Sequence, residues 1–191
     1  KDEELHWYVG IILAVLVILV LNTRSLFPSL GEAIHHVFFT ICSIITTTGY
    51  STADFNLWPS LSKGVLLLLM FVGGSPVGTA GGIKTVTIAV LMVSAIATIQ
   101  NKQDVSLFNR NISKQAVNKA VAVTMMSFAI MFTSTILLSA VSDADALDVL
   151  FETVSATATV GLTRDLTPYL NTAGKMIIIG TMYLGRVGPI S

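Results

Sequence analysis

The amino-acid sequence predicts an all-α integral membrane protein built from two tandem copies of one helical unit. Hydrophobic residues make up 53% of the 191 residues, charged residues 12%, and the mean hydropathy is +0.78. In soluble domains about 25% of residues are charged. Several uncharged stretches also approach the roughly 20 residues that a membrane-spanning helix needs, and the chain matches itself at one fixed displacement. The formal net charge of zero argues against a nucleic-acid partner and leaves membrane lipid as the expected surroundings.

Five apolar stretches are candidate membrane helices: residues 5–23, 33–53, 64–83, 85–101 and 120–142. The segment between residues 101 and 119 is basic, with Lys102, Arg110, Lys114 and Lys119 against Asp104 alone. Basic loops lie preferentially on the cytoplasmic side, so we expect this segment inside the cell. The acidic residues one span away, Asp143, Asp145 and Asp148, are then expected on a solvated outer surface. The predicted location is the plasma membrane, crossed several times.

An internal repeat organises the chain. A displacement of 112 residues places Gly49 on Gly161 and aligns residues 37–73 with residues 149–185 without a gap. Eight identities fall in this alignment, where about two or three are expected from average residue usage. We therefore assign one unit to residues 1–112 and a second unit to residues 113–191.

The second apolar segment of each copy is expected to be a short helix that dips into the membrane from outside and returns. In the second copy it carries Asp145, Asp148 and Glu152, which would be costly deep in hydrocarbon. Acidic residues near a helix N-terminus interact favourably with the helix dipole. A re-entrant helix therefore fits both copies better than a spanning helix.

A turn rich in threonine and glycine follows each dipping helix, as TTTGYST from Thr46 and TATVGLT from Thr157. Non-helical backbone within a membrane is tolerated only where protein or water satisfies its polar groups, so the turns predict a pore. Hydroxyls, glycine and the negative C-terminal end of a helix all favour a dehydrated cation. The predicted cation-binding residues are Thr47, Thr48, Gly49, Tyr50, Thr159, Val160, Gly161 and Leu162.

Two questions about these turns stay open at the level of sequence. Gly, Ser and Thr are ordinary loop residues, so one copy alone could be a plain outer loop, although two copies in register favour the pore. Potassium channels hold their ion with a TVGYG loop, and of its two glycines only the central one is kept in both copies here. The choice between K⁺ and Na⁺ therefore does not follow from the motif.

A helix break is predicted in the next apolar run. Residues 64–99 are too long for one span, and residues 73–82 contain five glycines and a proline, which disfavour an undisturbed helix. We interpret this segment as an intramembrane gating loop. In the second copy Arg186 aligns with Gly74 and is therefore expected at the depth of this break. A charged residue within the membrane is a candidate functional residue, and the alternative is a side chain that reaches toward the cytoplasm. The predicted gating residues are Gly73, Gly74, Ser75, Pro76, Gly78, Thr79, Gly81, Gly82 and Arg186.

Two other interpretations of the glycine-rich segment carry less weight. GTAGGIKT resembles a phosphate-binding P-loop, but Ile83 separates Gly82 from Lys84 and no strand of a soluble domain precedes it. Close helix packing through small residues is also possible in principle. Packing alone does not account for Pro76.

The motifs TTTGYST, GGSPVGTAGGIKT, TATVGLT and YLGRVGP together resemble the Ktr/Trk/HKT superfamily of potassium uptake proteins, most closely the Ktr-type membrane subunit. The resemblance implies four M1–P–M2 repeats (helix, re-entrant pore helix with filter loop, second helix) around one pore. It implies that this chain corresponds to repeats three and four, with the two N-terminal repeats missing. It further implies filter glycines at Gly49 and Gly161, a gating loop at 73–82 beside Arg186, a homodimer, and a cytosolic ring of nucleotide-binding RCK subunits.

Two rival functions were weighed against a cation pore. A secondary transporter of a small solute can also use broken helices, but its sites are typically faced by half-helix N-termini, whereas here helix C-termini precede the turns. An intramembrane enzyme would need a nucleophile and a base at one depth, which the sequence does not supply, so no enzymatic activity is expected. The three histidines lack metal-binding spacing, so no transition metal is expected. No cofactor is expected in this chain, and the expected transported ion is K⁺ or Na⁺.

Overall fold

The structure is a computed structural model, and it describes residues 3–73, 82–100, 106–107 and 110–187. The first unit contains the helices α1 (Glu3–Thr23), α2 (Leu30–Ile45), α3 (Ser60–Phe71) and α4 (Thr85–Ile99). The second unit contains α5 (Lys114–Val141), α6 (Ala146–Thr157) and α7 (Thr172–Val187). Three short 3₁₀ turns join them at Arg24–Leu26, Phe55–Leu57 and Thr167–Tyr169.

Helix length separates the two kinds of membrane helix that the sequence predicts. At 1.5 Å per residue, the 21 residues of α1 and the 28 of α5 extend about 32 and 42 Å. Both exceed the hydrocarbon core of about 30 Å. The 16 residues of α2 and the 12 of α6 reach only about 24 and 18 Å. Among the described residues, two helices are long and apolar enough to cross a membrane, His6–Leu26 and Lys114–Val141.

Side-chain caps explain where several helices begin. The Ser29 hydroxyl accepts a hydrogen bond from the backbone N–H of Glu32 at the start of α2 (3.2 Å), a serine and glutamate spacing typical of a capping box. Ser113 caps α5 in the same way (3.2 Å). Helix α5 therefore starts at Lys114, before the apolar stretch that begins at residue 120.

The two units share one arrangement and one core. Helix α1 packs on α2 and α3, and α5 packs on α6 and α7, while α3 meets α6 across the units. Phe55 of the first unit stacks on Phe151 of the second, with ring centroids 5.5 Å apart. The main apolar cluster therefore contains buried residues of both units, among them Leu19, Val37, Ile41, Leu66, Met70, Phe151, Val154 and Val160.

The apolar run at residues 64–99 is interrupted, as the sequence predicts. Helix α3 ends at Phe71, and α4 begins at Thr85. Between them β1 (Val72–Gly73) pairs in parallel with β2 (Ile83–Lys84), which brings both ends of the glycine-rich segment together. This pairing was not expected from the sequence. In the basic segment, β3 (Ser106–Leu107) pairs with β4 (Arg110–Asn111) in antiparallel fashion.

Candidate cation site

The two threonine and glycine turns have the same backbone conformation. After α2 the backbone N–H of Thr48 donates to the carbonyl of Ser43 (2.9 Å), and after α6 the N–H of Val160 donates to the carbonyl of Ser155 (2.9 Å). These bonds join residues at equivalent positions of the repeat. Each dipping helix is therefore closed by the same hydrogen-bonded turn.

Backbone dihedral angles repeat in the same way. Thr47 and Thr159 both have φ of 54°, and the glycines that follow, Gly49 and Gly161, have φ of 75° and 90°. Positive φ is uncommon for any residue except glycine and is a true outlier for β-branched threonine. Such strain persists only where the surroundings impose it, and it concentrates at functional sites. The outlier occurs at the same position of both turns, which makes them the candidate site.

The turns of the two units lie against each other. A Cβ atom built on Gly49 would lie 2.7 Å from the carbonyl oxygen of Val160 and 3.0 Å from the carbonyl carbon of Gly161. A Cβ on Gly161 would lie 3.5 Å from the Cα of Gly49. Only glycine permits this approach at position 49, which brings the Val160 carbonyl group of the second unit against the first turn.

A polar cavity of about 380 Å³ opens beside the two glycines. Its walls come from the two turns and from the residues that follow them: Gly49, Ser51, Thr52, Ala53, Asp54, Phe55, Asn56, Gly161, Leu162, Thr163 and Asp165. Helices α2 and α6 both end at the turns, so their negative dipole ends lie close to this region. The arrangement suits a cation and disfavours an anion.

Burial distinguishes the predicted cation-binding residues from one another. The side chains of Val160 and Leu162 belong to the apolar core and are 1% and 3% exposed, so only their backbone can reach a cation. Tyr50 is 71% exposed. The hydroxyl of Thr48 lies 2.7 Å from that of Thr46, and Thr47 is half-buried.

Glu152 was not singled out as a site residue from the sequence, yet it organises the second turn. Its side chain is 4% exposed. One carboxylate oxygen accepts hydrogen bonds from the Thr163 hydroxyl and from the backbone N–H groups of Arg164 (3.1 Å) and Leu166 (3.3 Å). The other accepts from the Thr167 hydroxyl (2.8 Å). A carboxylate buried in α6 therefore ties down the segment that leaves the second turn.

The first unit uses different residues at the equivalent positions. Thr40 stands where Glu152 stands in the second unit, and its hydroxyl donates to its own helix, to the His36 carbonyl (2.9 Å). His36 Nδ1 lies 2.9 Å from the Thr52 hydroxyl. His36 and Thr52 correspond to Asp148 and Arg164, which form an ion pair in the second unit. Each unit thus links its dipping helix to the segment after its turn.

Asp148 is therefore more than a solvated acid of the outer surface. Its side chain is 31% exposed and the partner Arg164 is 14% exposed. The guanidinium of Arg164 also reaches the first unit, where its Nε donates to Asn56 Oδ1 (3.2 Å). The expectation of a purely solvated acidic cluster is incomplete, because a sequence shows no partner that lies 16 residues further along the chain.

Most predicted gating residues lie outside the described part of the chain: Gly74, Ser75, Pro76, Gly78, Thr79 and Gly81. Gly73 lies in β1, and Gly82 precedes β2 with φ of 76°. In α7 a Cβ on Gly185 would lie 2.2 Å from the carbonyl oxygen of Thr157, so α7 packs directly on the C-terminal end of α6. Arg186 follows at this level, in the last turn of α7, with an exposed side chain.

Metal-binding side chains do not form a cluster in the part of the chain that the structure describes. No group of three or more His, Cys, Asp and Glu residues is placed to hold a metal ion there. Oxygen atoms of the backbone and of hydroxyls are the candidate ligands at the two turns.

In each unit a short helix that ends in a turn packs on longer apolar helices, and the two turns face each other. The family model of TrkH, described as a cation transport protein, matches residues 7–191. The chain belongs to this family of cation transport proteins. A solved structure of the potassium transporter TrkH from Vibrio parahaemolyticus has the same fold, with a TM-score of 0.88 at 20% identity over 99% of this chain and 43% of that chain.

Curated relatives agree with the family. Ktr system potassium uptake protein B of Bacillus subtilis is 42% identical over 148 residues, which are 76% of this chain and 33% of that protein. The protein of the same name in Vibrio alginolyticus is 36% identical over 145 residues, covering 76% and 32%. Potassium/sodium uptake protein NtpJ of Enterococcus hirae is 34% identical over 146 residues, covering 74% and 32%. The chain spans about a third of the length of these relatives.

Proposed function

We propose that this chain supplies two of four repeats of a pore through which potassium ions are taken up across the plasma membrane. The observation that carries the proposal is the pair of equivalent turns, each with a threonine and a glycine at positive φ, that meet at Gly49 and Gly161. Relatives that are named potassium uptake proteins support the choice of ion. The name of NtpJ, a potassium/sodium uptake protein, makes Na⁺ the ion to compare.

In this proposal the cation loses water and binds to oxygens of Thr47, Thr48, Gly49 and Tyr50 in one repeat. Thr159, Val160, Gly161 and Leu162 act in the same way in the next repeat. The burial of Val160 and Leu162 supports a role for their carbonyl groups. The secondary-transporter alternative is less well supported, because the helix ends at the turns are C-termini and would repel an anionic substrate.

The proposed gate is the segment 73–82 together with Arg186. The break between Phe71 and Thr85 supports it, as does the contact of Gly185, the residue before Arg186, with the C-terminal end of α6. A positive charge there would oppose the passage of a cation until the gate opens. By family resemblance we further propose a homodimer and control by a cytosolic RCK-type nucleotide-binding ring.

The proposal is tested by uptake in cells that lack other potassium uptake systems. The full-length protein that contains this chain is expressed unaltered and as Gly49→Ser, and membrane abundance is measured for both. We expect K⁺ uptake that depends on the protein, and loss of uptake or of K⁺ preference in the variant at equal abundance. Unchanged uptake and unchanged K⁺ preference in Gly49→Ser would reduce the turn to a plain loop and favour the solute transporter.

A further inference from the structure

We propose that Arg164 and Asn56 form a clamp between the two repeats that fixes the spacing of their filter turns and so sets the preference of the pore for K⁺ over Na⁺. This inference rests on the proposed function and deepens it. Both are positioning residues, since they act on the cation through the backbone of the turns.

Arg164 is anchored in its own repeat at two points. Its guanidinium pairs with Asp148 of α6, and its backbone N–H donates to Glu152 (3.1 Å). The side chain is 14% exposed, so solvent screens these interactions less than it would on an open surface. Since Arg164 lies three residues after Gly161, these contacts hold the exit of the second turn against its dipping helix.

Asn56 is anchored in the first repeat. Its backbone N–H donates to Asp54 Oδ1 (2.9 Å), and its carbonyl accepts from Lys63 Nζ of α3 (3.0 Å). The neighbouring Phe55 is buried against Phe151. The Asn56 side chain is therefore presented to the second repeat from a fixed base.

The side-chain amide of Asn56 makes both contacts across the repeats. Its Oδ1 accepts from Arg164 Nε (3.2 Å), and its Nδ2 donates to Asp165 Oδ2 (3.4 Å). Only one orientation of the amide satisfies both neighbours, because an arginine can only donate and an ionised aspartate can only accept. Bonds to charged partners are stronger than neutral ones. The two bonds therefore favour one relative position of the segment that carries Asn56 and the segment that carries Arg164 and Asp165.

The internal repeat shows that this contact is not a general feature of the fold. The position equivalent to Arg164 is Thr52, whose short side chain contacts His36 of its own repeat (2.9 Å). The position equivalent to Asn56 is Pro168, which has no side-chain donor or acceptor. A contact between the dipping helix and the segment after the turn is thus present in both repeats. The contact between the repeats, in contrast, requires the length of arginine and the amide of asparagine.

The clamp matters for the ion because the turns it frames are in contact. The Cβ position of Gly49 lies 2.7 Å from the Val160 carbonyl oxygen, and Asn56 and Asp165 line the same cavity as both glycines. Selectivity depends on cavity size and on the number and field of the coordinating oxygens. If the segments that carry Asn56 and Arg164 move apart, the two turns can move apart too. The coordinating oxygens then form a cage of variable size, which distinguishes K⁺ from Na⁺ less well.

The test measures K⁺ and Na⁺ uptake by the full-length protein in the same cells, so that their ratio does not depend on how much protein reaches the membrane. Asn56→Leu removes both hydrogen bonds of the clamp and leaves the Asp148 ion pair in place. Arg164→Lys keeps the positive charge but cannot serve Asp148 and Asn56 together. Ser62→Ala is the control, because it removes one side-chain hydrogen bond, to Asn22 (2.7 Å), within the first repeat.

We expect each clamp variant to lower the K⁺/Na⁺ ratio about tenfold, which corresponds to about 1.4 kcal/mol of differential binding, while Ser62→Ala keeps the ratio. The double variant Asn56→Leu/Arg164→Lys should lower the ratio by less than the product of the two single effects, because both single variants break the bond between Arg164 and Asn56. If the effects multiply in the double variant, or if the clamp variants keep the ratio, the clamp proposal is refuted and the proposed function is unaffected. Absence of K⁺ uptake by the unaltered protein would instead overturn the proposed function.

Discussion

Gly49 and Gly161 occupy equivalent positions, yet the structure predicts different consequences when each is replaced by alanine. Both have positive φ, 75° and 90°, so both substitutions incur the penalty of left-handed backbone, about 1–2 kcal/mol. The space around them differs. The new Cβ meets the Val160 carbonyl oxygen at 2.7 Å in Gly49→Ala, whereas in Gly161→Ala its nearest neighbour is the Gly49 Cα at 3.5 Å.

The displacement needed in Gly49→Ala is large on the scale of ion recognition. An ordinary contact of 3.4 Å requires the two turns to separate by about 0.7 Å. Oxygen cages for Ca²⁺ and Mg²⁺ differ by about 0.4 Å in ligand distance, so 0.7 Å is enough to change which cation fits. In Gly161→Ala only the dihedral strain applies, and the turns can stay where they are.

The assay is the ratio of K⁺ to Na⁺ uptake by the full-length protein in cells without other potassium uptake. We expect Gly49→Ala to lower the ratio by about tenfold or more, equivalent to about 1.4 kcal/mol, and Gly161→Ala to lower it less. Gly64→Ala is the matched control, since a Cβ at that helical glycine has nothing within 4 Å. An equal or larger loss in Gly161→Ala would refute the argument from the contact between the turns.

Three further substitutions test other parts of the site. Glu152→Gln should lower the free energy of unfolding of the solubilised full-length protein by about 2–3 kcal/mol, because the amide cannot replace a buried carboxylate that accepts four hydrogen bonds. An unchanged melting temperature would contradict this prediction. Gly185→Ala should lower stability by about 1–3 kcal/mol, since its Cβ would lie 2.2 Å from the Thr157 oxygen, whereas Gly180→Ala, with nothing within 4 Å, should be neutral or stabilising. Arg186→Ala should raise K⁺ flux about tenfold if its charge opposes the ion by about 1.4 kcal/mol, and unchanged flux would favour a side chain that simply reaches toward the cytoplasm.

Repetition in the sequence made the turns predictable. Thr47 with Gly49 and Thr159 with Gly161 stand at the same displacement, and residues that recur in register after two helix-length segments point to one repeated local structure. Glycine permits positive φ angles, and Gly49 and Gly161 both adopt them. The acidic residues of the second copy likewise predicted the short dipping helices, because such residues would be costly in a spanning helix.

Contacts between distant residues were not predictable in the same way. The interactions of Glu152 depend on how the chain returns after the second turn, and the bond from Arg164 to Asn56 joins residues 108 positions apart. Periodicity reports which residues share a face of one element, and it carries no information about partners on another element. The pairing of β1 with β2 was missed for a similar reason, since two-residue strands leave no periodic pattern.

The most direct test of the central claim is cation flux through the purified full-length protein in lipid vesicles. Flux is measured under equal K⁺ and Na⁺ gradients, with the unaltered protein and with Gly49→Ala. We expect flux that favours K⁺ in the unaltered protein, and a lost or strongly reduced preference in the variant. Absence of cation flux in correctly folded, reconstituted protein, or a preference that survives the substitution, would contradict it.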